Sequence, residues 1–272
     1  MHFDVLQSVS LAGDLAVPND DRAGAGHVHG WVIDGATDLG PPGLVGARGG
    51  AAWLANEAQA AFTASPAASL DTLYADVAAH ILAAWERDRT REPAGLWERP
   101  LASALAVHLA GDGLDCGWLG DCAGFLWSKG QVTRLGPAKD PAEGLRAAAL
   151  ARHGLGSPKR SAPILADLRA TRGHAGMRVL SVNAQHMQTL DRSRLACAPG
   201  DELFLMTDGF AALIDTYGVE DDASLVAAIR TRGLAAVAQA LRAIEADDAA
   251  CVRYPRFKTS DDATALWLRI GG

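Results

Sequence analysis

Apolar positions along the chain fall into short strand-like runs interrupted by pairs of helical stretches. Phe3 to Leu11 reads as a strand, followed by a polar turn around Asn19-Asp20-Asp21. The run Val28-His29-Gly30-Trp31-Val32-Ile33 predicts a buried strand that stops at Asp34-Gly35. Residues 36 to 46 are rich in glycine and proline and predict a loop. A helix is expected from about Arg48 to Phe62. A second is marked by Leu70, Leu73, Tyr74, Val77, Ile81, Leu82 and Trp85, spaced along one helical face, with Ser69 as its N-cap.

Strands then resume at Ala102 to Leu109, Cys116 to Leu119 and Gly124 to Trp127, the first two joined by a Gly111-Asp112-Gly113 turn. Residues 137 to 176 carry the weakest pattern. Further strands are expected at Met177 to Val182 and Glu202 to Met206, helices at Asp222 to Arg230 and Leu234 to Asp247, and a last strand at Ala263 to Ile270. Antiparallel strand runs broken by helix pairs predict an α+β architecture, sheets inside and helices outside, in one domain over residues 1–272.

Composition narrows the function. With 49% hydrophobic residues the chain can bury a sizeable core, which excludes disorder for most of it. Twenty-five basic against 32 acidic residues leave a net charge of -7, which argues against a nucleic-acid partner held by phosphate neutralisation. Apolar runs fall far short of the roughly 20 residues of a membrane span. Cys116, Cys122, Cys197 and Cys251 form no CxxC pair, and no secretory leader is evident, so reduced thiols in a cytoplasmic monomer are expected.

The chemistry lies where the acids sit. Apolar strands run into Asp34-Gly35, Gly120-Asp121 and Thr207-Asp208-Gly209. Asp261-Asp262 precedes the last strand and Asp20-Asp21 stands upstream of the second. Carboxylates at the ends of buried strands are costly to desolvate unless paired or bound to a cation. Oxygen-only clusters without His or Cys suit Mg²⁺ or Mn²⁺ better than Zn²⁺. A glycine after Asp34 and Asp208 permits a sharp turn and could offer a carbonyl oxygen to an ion.

In order and spacing, Asn19-Asp20-Asp21, Asp34-Gly35, Gly120-Asp121, Thr207-Asp208-Gly209 and Asp261-Asp262-Ala263-Thr264 resemble the motifs of the metal-dependent protein phosphatases (PPM, or PP2C), over about residues 5 to 270. The resemblance implies a four-layer α-β-β-α sandwich, two antiparallel sheets flanked by helix pairs, with a Mg²⁺/Mn²⁺ centre at one end. By motif match Asp34 would bridge two ions and Gly35 would offer its carbonyl. Asp208 and Asp261 would complete one shell, Asp20 would act through water, and Asp121 would hold a third, weaker ion. The implied reaction is hydrolysis of phosphoserine or phosphothreonine in a protein substrate. Asp34, Asp208 and Asp261 are the catalytic candidates.

Two departures stand out. The position of the family's phosphate-gripping arginine is Ala16, and that of the eukaryotic His after the bridging Asp-Gly is Ala36, which points to a bacterial type. Arg22 and Arg48 are candidate replacements for the arginine, and His27 and His29 candidate acids. Asp262, where the family usually has Asn, is expected to be structural. The segment from Arg146 to Arg178 carries Arg146, Arg152, Lys159, Arg160, Arg169, Arg172 and Arg178 against Asp167 alone, in the region of the family's variable flap. It would steer acidic phosphopeptides. The missing arginine keeps two rivals open: a catalytically weak phosphoprotein-binding module, and a phosphatase of a small phosphate ester.

Overall fold

A computed structural model describes the chain except Asp112, Lys139, Pro158, Lys159 and Ala175, so the central residue of the expected hairpin turn and one flap cation lie outside the described residues. Two antiparallel sheets form the frame. One runs β1 (His2–Leu11), β11 (Ala263–Gly271), β10 (Glu202–Met206), β6 (Ala123–Ser128), β7 (Gln131–Leu135). The other runs β2 (Arg22–Ala25), β3 (His29–Gly35), β4 (Leu101–Ala110), β5 (Gly113–Leu119), β9 (Asp191–Ala196), with β8 (Leu180–Ser181) beside β4.

The alternation of side chains along a strand sorts the core into layers. From the second sheet, Trp31, Ile33, Ala104 and Ala106 pack under helices α1 (Gly50–Ala64) and α2 (Leu70–Asp88). From the first sheet, Phe204, Met206, Ala265 and Trp267 pack under α5 (Asp208–Asp215), α6 (Asp222–Arg232) and α7 (Leu234–Asp247). The opposite parity, Val32, Leu105, Val107, Leu203, Leu205, Leu266 and Leu268, fills the space between the sheets. Each fully buried side chain of this kind is worth about 1.5–3 kcal/mol. The result is the expected α-β-β-α sandwich.

Differences from the sequence reading have local causes. β2, β7 and β9 escape the hydrophobic pattern because they are short or peripheral; at the sheet edges β7 exposes polar Gln131 and Thr133, and β9 exposes Arg192 and Arg194. Only Leu180–Ser181 of the strand expected at 177–182 forms, because β5 occupies that side of β4 from Ala104 onward. The weakly patterned segment is helical. α3 (Ala142–Leu150) and α4 (Ala162–Thr171) share a small core of Ala147 and Ile164, closed by Phe257 from the loop before β11. Burying so little, these helices need only a faint apolar stripe. Among the described residues no helix is long and apolar enough to cross a membrane.

Candidate metal centre

At one end of the sandwich the between-sheet parity changes from aliphatic to polar. Asp34 follows Val32 on β3 and stands opposite Ser103 of β4, which precedes Leu105. Thr207 follows Leu205, and Asp21 precedes Ala23 with the same period. Strand alternation thus aims acids and hydroxyls from both sheets into one small volume. Thr207 stands at the N-cap position of α5, yet its hydroxyl leaves the helix uncapped and donates from Oγ1 to Asp21 Oδ2 at 2.8 Å.

The two glycines of the acid motifs serve close approach rather than a left-handed turn. Neither Gly35 nor Gly209 has a positive φ. A Cβ on Gly35 would come within 2.8 Å of the Asp20 carbonyl oxygen, and one on Gly209 would overlap the carbonyl oxygen of Asp262. Any larger residue would push Asp34 or Asp208 out of register with its neighbours.

Electrostatics show how closely the acids are gathered. Burial first, then Asp208, Asp21 and Asp261, push the Asp34 carboxyl well above the carboxylate range, and a side-chain hydrogen bond links it to Asp208. Two carboxyls in a hydrogen bond share a proton. Asp21, only 2% exposed, is likewise pushed up by burial and by Asp262 and Asp261, against the pull of Thr207. Its Oδ1 is buried without a hydrogen-bond partner. Asp261 goes the other way: burial raises it, but Lys258, whose Nζ lies 2.5 Å from Asp261 Oδ1, holds it below its ordinary value.

These features test the fit of a divalent cation. Among the described residues no three acids already stand in a coordinating arrangement. What stands there instead is a hydrogen bond between the Asp34 and Asp208 carboxyls, an ammonium on Asp261 and an orphaned Asp21 oxygen. That is the expected state of clustered carboxylates satisfied by protons and side chains, and oxygen donors of this kind suit Mg²⁺ or Mn²⁺. The donor set fits.

Asp34, Asp121, Asp208, Asp261 and Gly35 line one cleft of about 770 Å³. Asp121 sits exposed on its rim, accepting from Ser103 Oγ at 2.6 Å. Asp20 stands beside Gly35, away from the cleft wall, and donates its backbone N–H to Asp262 Oδ2 at 2.6 Å. Burial, Asp262 and Asp38 push its carboxyl up to about 7. Asp262 also accepts from the Gly13 N–H at 2.8 Å, a structural role. Asp21, to which the sequence reading gave no metal role, faces the cluster more directly than Asp20; its parity with Ala23 and Ala25 was the available signal.

Arg22 donates to Asn56 Oδ1 at 2.8 Å and to the carbonyls of Asn19 and Asp21, and Arg48 is exposed nearby. Neither lines the cleft. His27 stacks on His2, and His29 pairs with His108, Nδ1 to Nδ1 at 3.0 Å, at the far end of β3. Five residues of strand, about 17 Å, separate His29 from Asp34, so neither histidine serves as the acid. Asp38 caps α1, accepting from Gly50 N–H at 2.7 Å and Ala51 N–H at 3.2 Å.

No protein-family model and no curated protein matches the chain. Solved structures do. The serine/threonine phosphatase PstP/Ppp of Mycobacterium tuberculosis is 20% identical and superposes over 100% of both chains with a TM-score of 0.60. The PstP catalytic domain in complex with two manganese ions is 20% identical, over 100% of this chain and 99% of that one, at 0.58. The PPM Ser-Thr phosphatase MsPP of Mycobacterium smegmatis is 19% identical over 98% and 99%, at 0.54. In its layers and sheet order this chain has the fold of the PPM/PP2C serine/threonine phosphatases.

Proposed function

We propose that the chain is a bacterial-type PPM/PP2C phosphatase that uses Mg²⁺ or Mn²⁺ to hydrolyse phosphoserine or phosphothreonine in proteins. The observation that carries this reading is the convergence of Asp21, Asp34, Asp208 and Asp261 on one buried end of the sandwich, with Asp21 Oδ1 left without a partner. Asp34, Asp208 and Asp261 would hold two ions with Asp21 and the Gly35 carbonyl, and Asp121 on the rim would hold a third. Bound there, the ions would supply Lewis-acid stabilisation of phosphoryl charge and a more acidic water. The chain's own part is to gather the carboxylates, give up the Asp34–Asp208 hydrogen bond when ions bind, and orient the ester in the cleft. Exposed Leu145, beside the cleft, offers an apolar contact for peptide on either side of the phosphorylated residue. The cytoplasm, where cysteine thiols stay reduced, is the compartment this reading expects.

The test is hydrolysis of a phosphothreonine peptide and of p-nitrophenyl phosphate with and without Mn²⁺, beside Asp34→Asn. Mn²⁺-dependent release of phosphate from the peptide, lost in the variant, supports the reading; none from either substrate overturns it. Ala16 and the Lys258–Asp261 contact favour a second reading, a weak enzyme that chiefly binds phosphoprotein. Peptide binding without turnover would select it. Turnover of p-nitrophenyl phosphate alone would select a small-ester phosphatase.

A further inference from the structure

A substrate phosphate carries negative charge into a site already rich in carboxylates, so the cleft needs cations of its own. Arg146, Arg160, Arg172, Arg253, Arg256 and Lys258 line it. Three are already paired: Arg146 lies 3.4 Å from Asp167, Arg256 2.7 Å from Asp248 and Lys258 2.5 Å from Asp261. Arg253 is exposed over the Tyr254 ring, 4.9 Å from its centre. Arg160 and Arg172 have no ion-paired carboxylate among the described residues, although both are half-buried.

These two flank α4, Arg160 just before it and Arg172 directly after it. They are close enough to repel each other: burial, then Arg160, lowers the Arg172 guanidinium to about 10. Arg160 feels Asp261 of the acid cluster. Arg172 donates to the Thr37 carbonyl at 2.6 Å, which fixes one edge of its guanidinium and leaves its other donors available. Arg169 ties the same helix down, donating twice to the Leu39 carbonyl, at 3.1 and 2.6 Å, with its guanidinium 3.9 Å from the centre of the Trp97 ring. Both anchors lie on the loop that leaves Asp34-Gly35, so α4 and the acid cluster are tied to one strand end. Two like charges held together in partly desolvated positions are unfavourable until an anion comes between them.

We propose that Arg160 and Arg172 form a phosphate-binding fork, so that α4 delivers the cationic grip that Ala16 does not. The proposal rests on the phosphatase reading of the cleft. The ligand class is a phosphomonoester, whose terminal oxygens match a guanidinium edge. Arg22, committed to Asn56 and two carbonyls, would then be structural.

The test measures Mn²⁺-dependent kinetics on a phosphothreonine peptide, with inorganic phosphate as competitive inhibitor. It compares the native protein with Arg160→Ala, Arg160→Lys and Arg172→Ala. Arg160 makes no hydrogen bond among the described residues, so its removal leaves the fold least disturbed. Arg160→Ala should raise KM and the phosphate inhibition constant by about 10- to 100-fold. Lys should restore part of the loss, while Mn²⁺ affinity by calorimetry and Tm stay native. Arg172→Ala should act in the same direction. Unchanged KM and inhibition constant in Arg160→Ala, or a matching loss of Mn²⁺ affinity, would overturn the fork. If the native protein hydrolyses nothing, the phosphatase reading fails and calorimetry with the peptide and its unphosphorylated twin decides the fork. Phosphate-dependent binding lost in Arg160→Ala upholds it; no such binding, or binding unchanged in the variant, overturns it.

Discussion

Lys258 donates from Nζ to Asp261 Oδ1 at 2.5 Å, so an ammonium sits against the carboxylate cluster, near enough to Asp34 and Asp208 to be held in its charged form. It comes from the same loop as Phe257, the residue that closes the small core of α3 and α4. A cation tethered there offsets repulsion among the acids, and a divalent ion coming to Asp261 must compete with it.

Lys258→Met should therefore strengthen Mn²⁺ binding by about tenfold, equivalent to ~1.4 kcal/mol, and lower the Tm of EDTA-treated protein. Calorimetric titration and thermal melts read both. Unchanged affinity and unchanged Tm would mean that the ammonium takes no part in the cluster's charge balance.

Asp34→Asn and Asp208→Asn should each abolish Mn²⁺-stimulated hydrolysis while raising the Tm of EDTA-treated protein. At Asp34 an amide removes charge from a group that burial and neighbouring acids already disfavour as an anion, and at Asp208 it removes the neighbouring acid that acts on Asp34 most strongly. Near-native Mn²⁺-dependent turnover in Asp208→Asn would place the chemistry elsewhere.

Asp121→Ala should leave the tighter ions bound and remove only a weak one, with a drop in turnover. The residue is exposed on the rim, held by Ser103 rather than by the buried cluster. Loss of all Mn²⁺ binding in calorimetry would move Asp121 into the main centre.

The pH dependence follows from Asp20, whose carboxyl rises from 3.8 to about 7 through burial first, then Asp262 and Asp38. A folded pKa above the unfolded one favours folding fully below about pH 4, and that contribution is lost as pH rises through about 7. Asp248, lowered to about 2 by hydrogen bonds from the Arg253, Tyr254 and Val252 N–H groups and Arg256 that outweigh its burial, changes only below this window. EDTA-treated protein should thus lose Tm between about pH 4 and 7, and Asp20→Asn should flatten the curve. A Tm that rises over that range would contradict the assignment.

Asp38→Ala should cost about 1 kcal/mol of stability in urea denaturation, because α1 starts at Gly49 without a side-chain cap of its own and Asp38 caps it from a distance.

Much of this was legible in the amino-acid order. The face of α2 with its Ser69 cap, which accepts from the Thr72 N–H, and the whole of β10 and α7 follow from hydrophobic period alone, since each buries one continuous stripe or run. The acids Asp34, Asp208 and Asp261 were legible because each terminates or precedes such a run. Other features had no local signature. β2, β7 and β9 take their pairing from neighbouring strands, and the small core of α3 and α4 is closed by Phe257, far along the chain. Arg22 and Arg48 stood near the first acid motif in sequence, yet hydrogen bonds and exposure keep them off the cleft, which only the packing of β2 against α1 decides. The sequence by itself determined which residues form the buried stripes and where carboxylates interrupt them, because periodicity is a short-range property of the chain. Tertiary structure decided which side chains meet: Lys258 with Asp261, Thr207 with Asp21, Arg172 with the Thr37 carbonyl. Those contacts depend on how two sheets and a helical flap converge at one end, a long-range outcome of packing that no window of sequence contains.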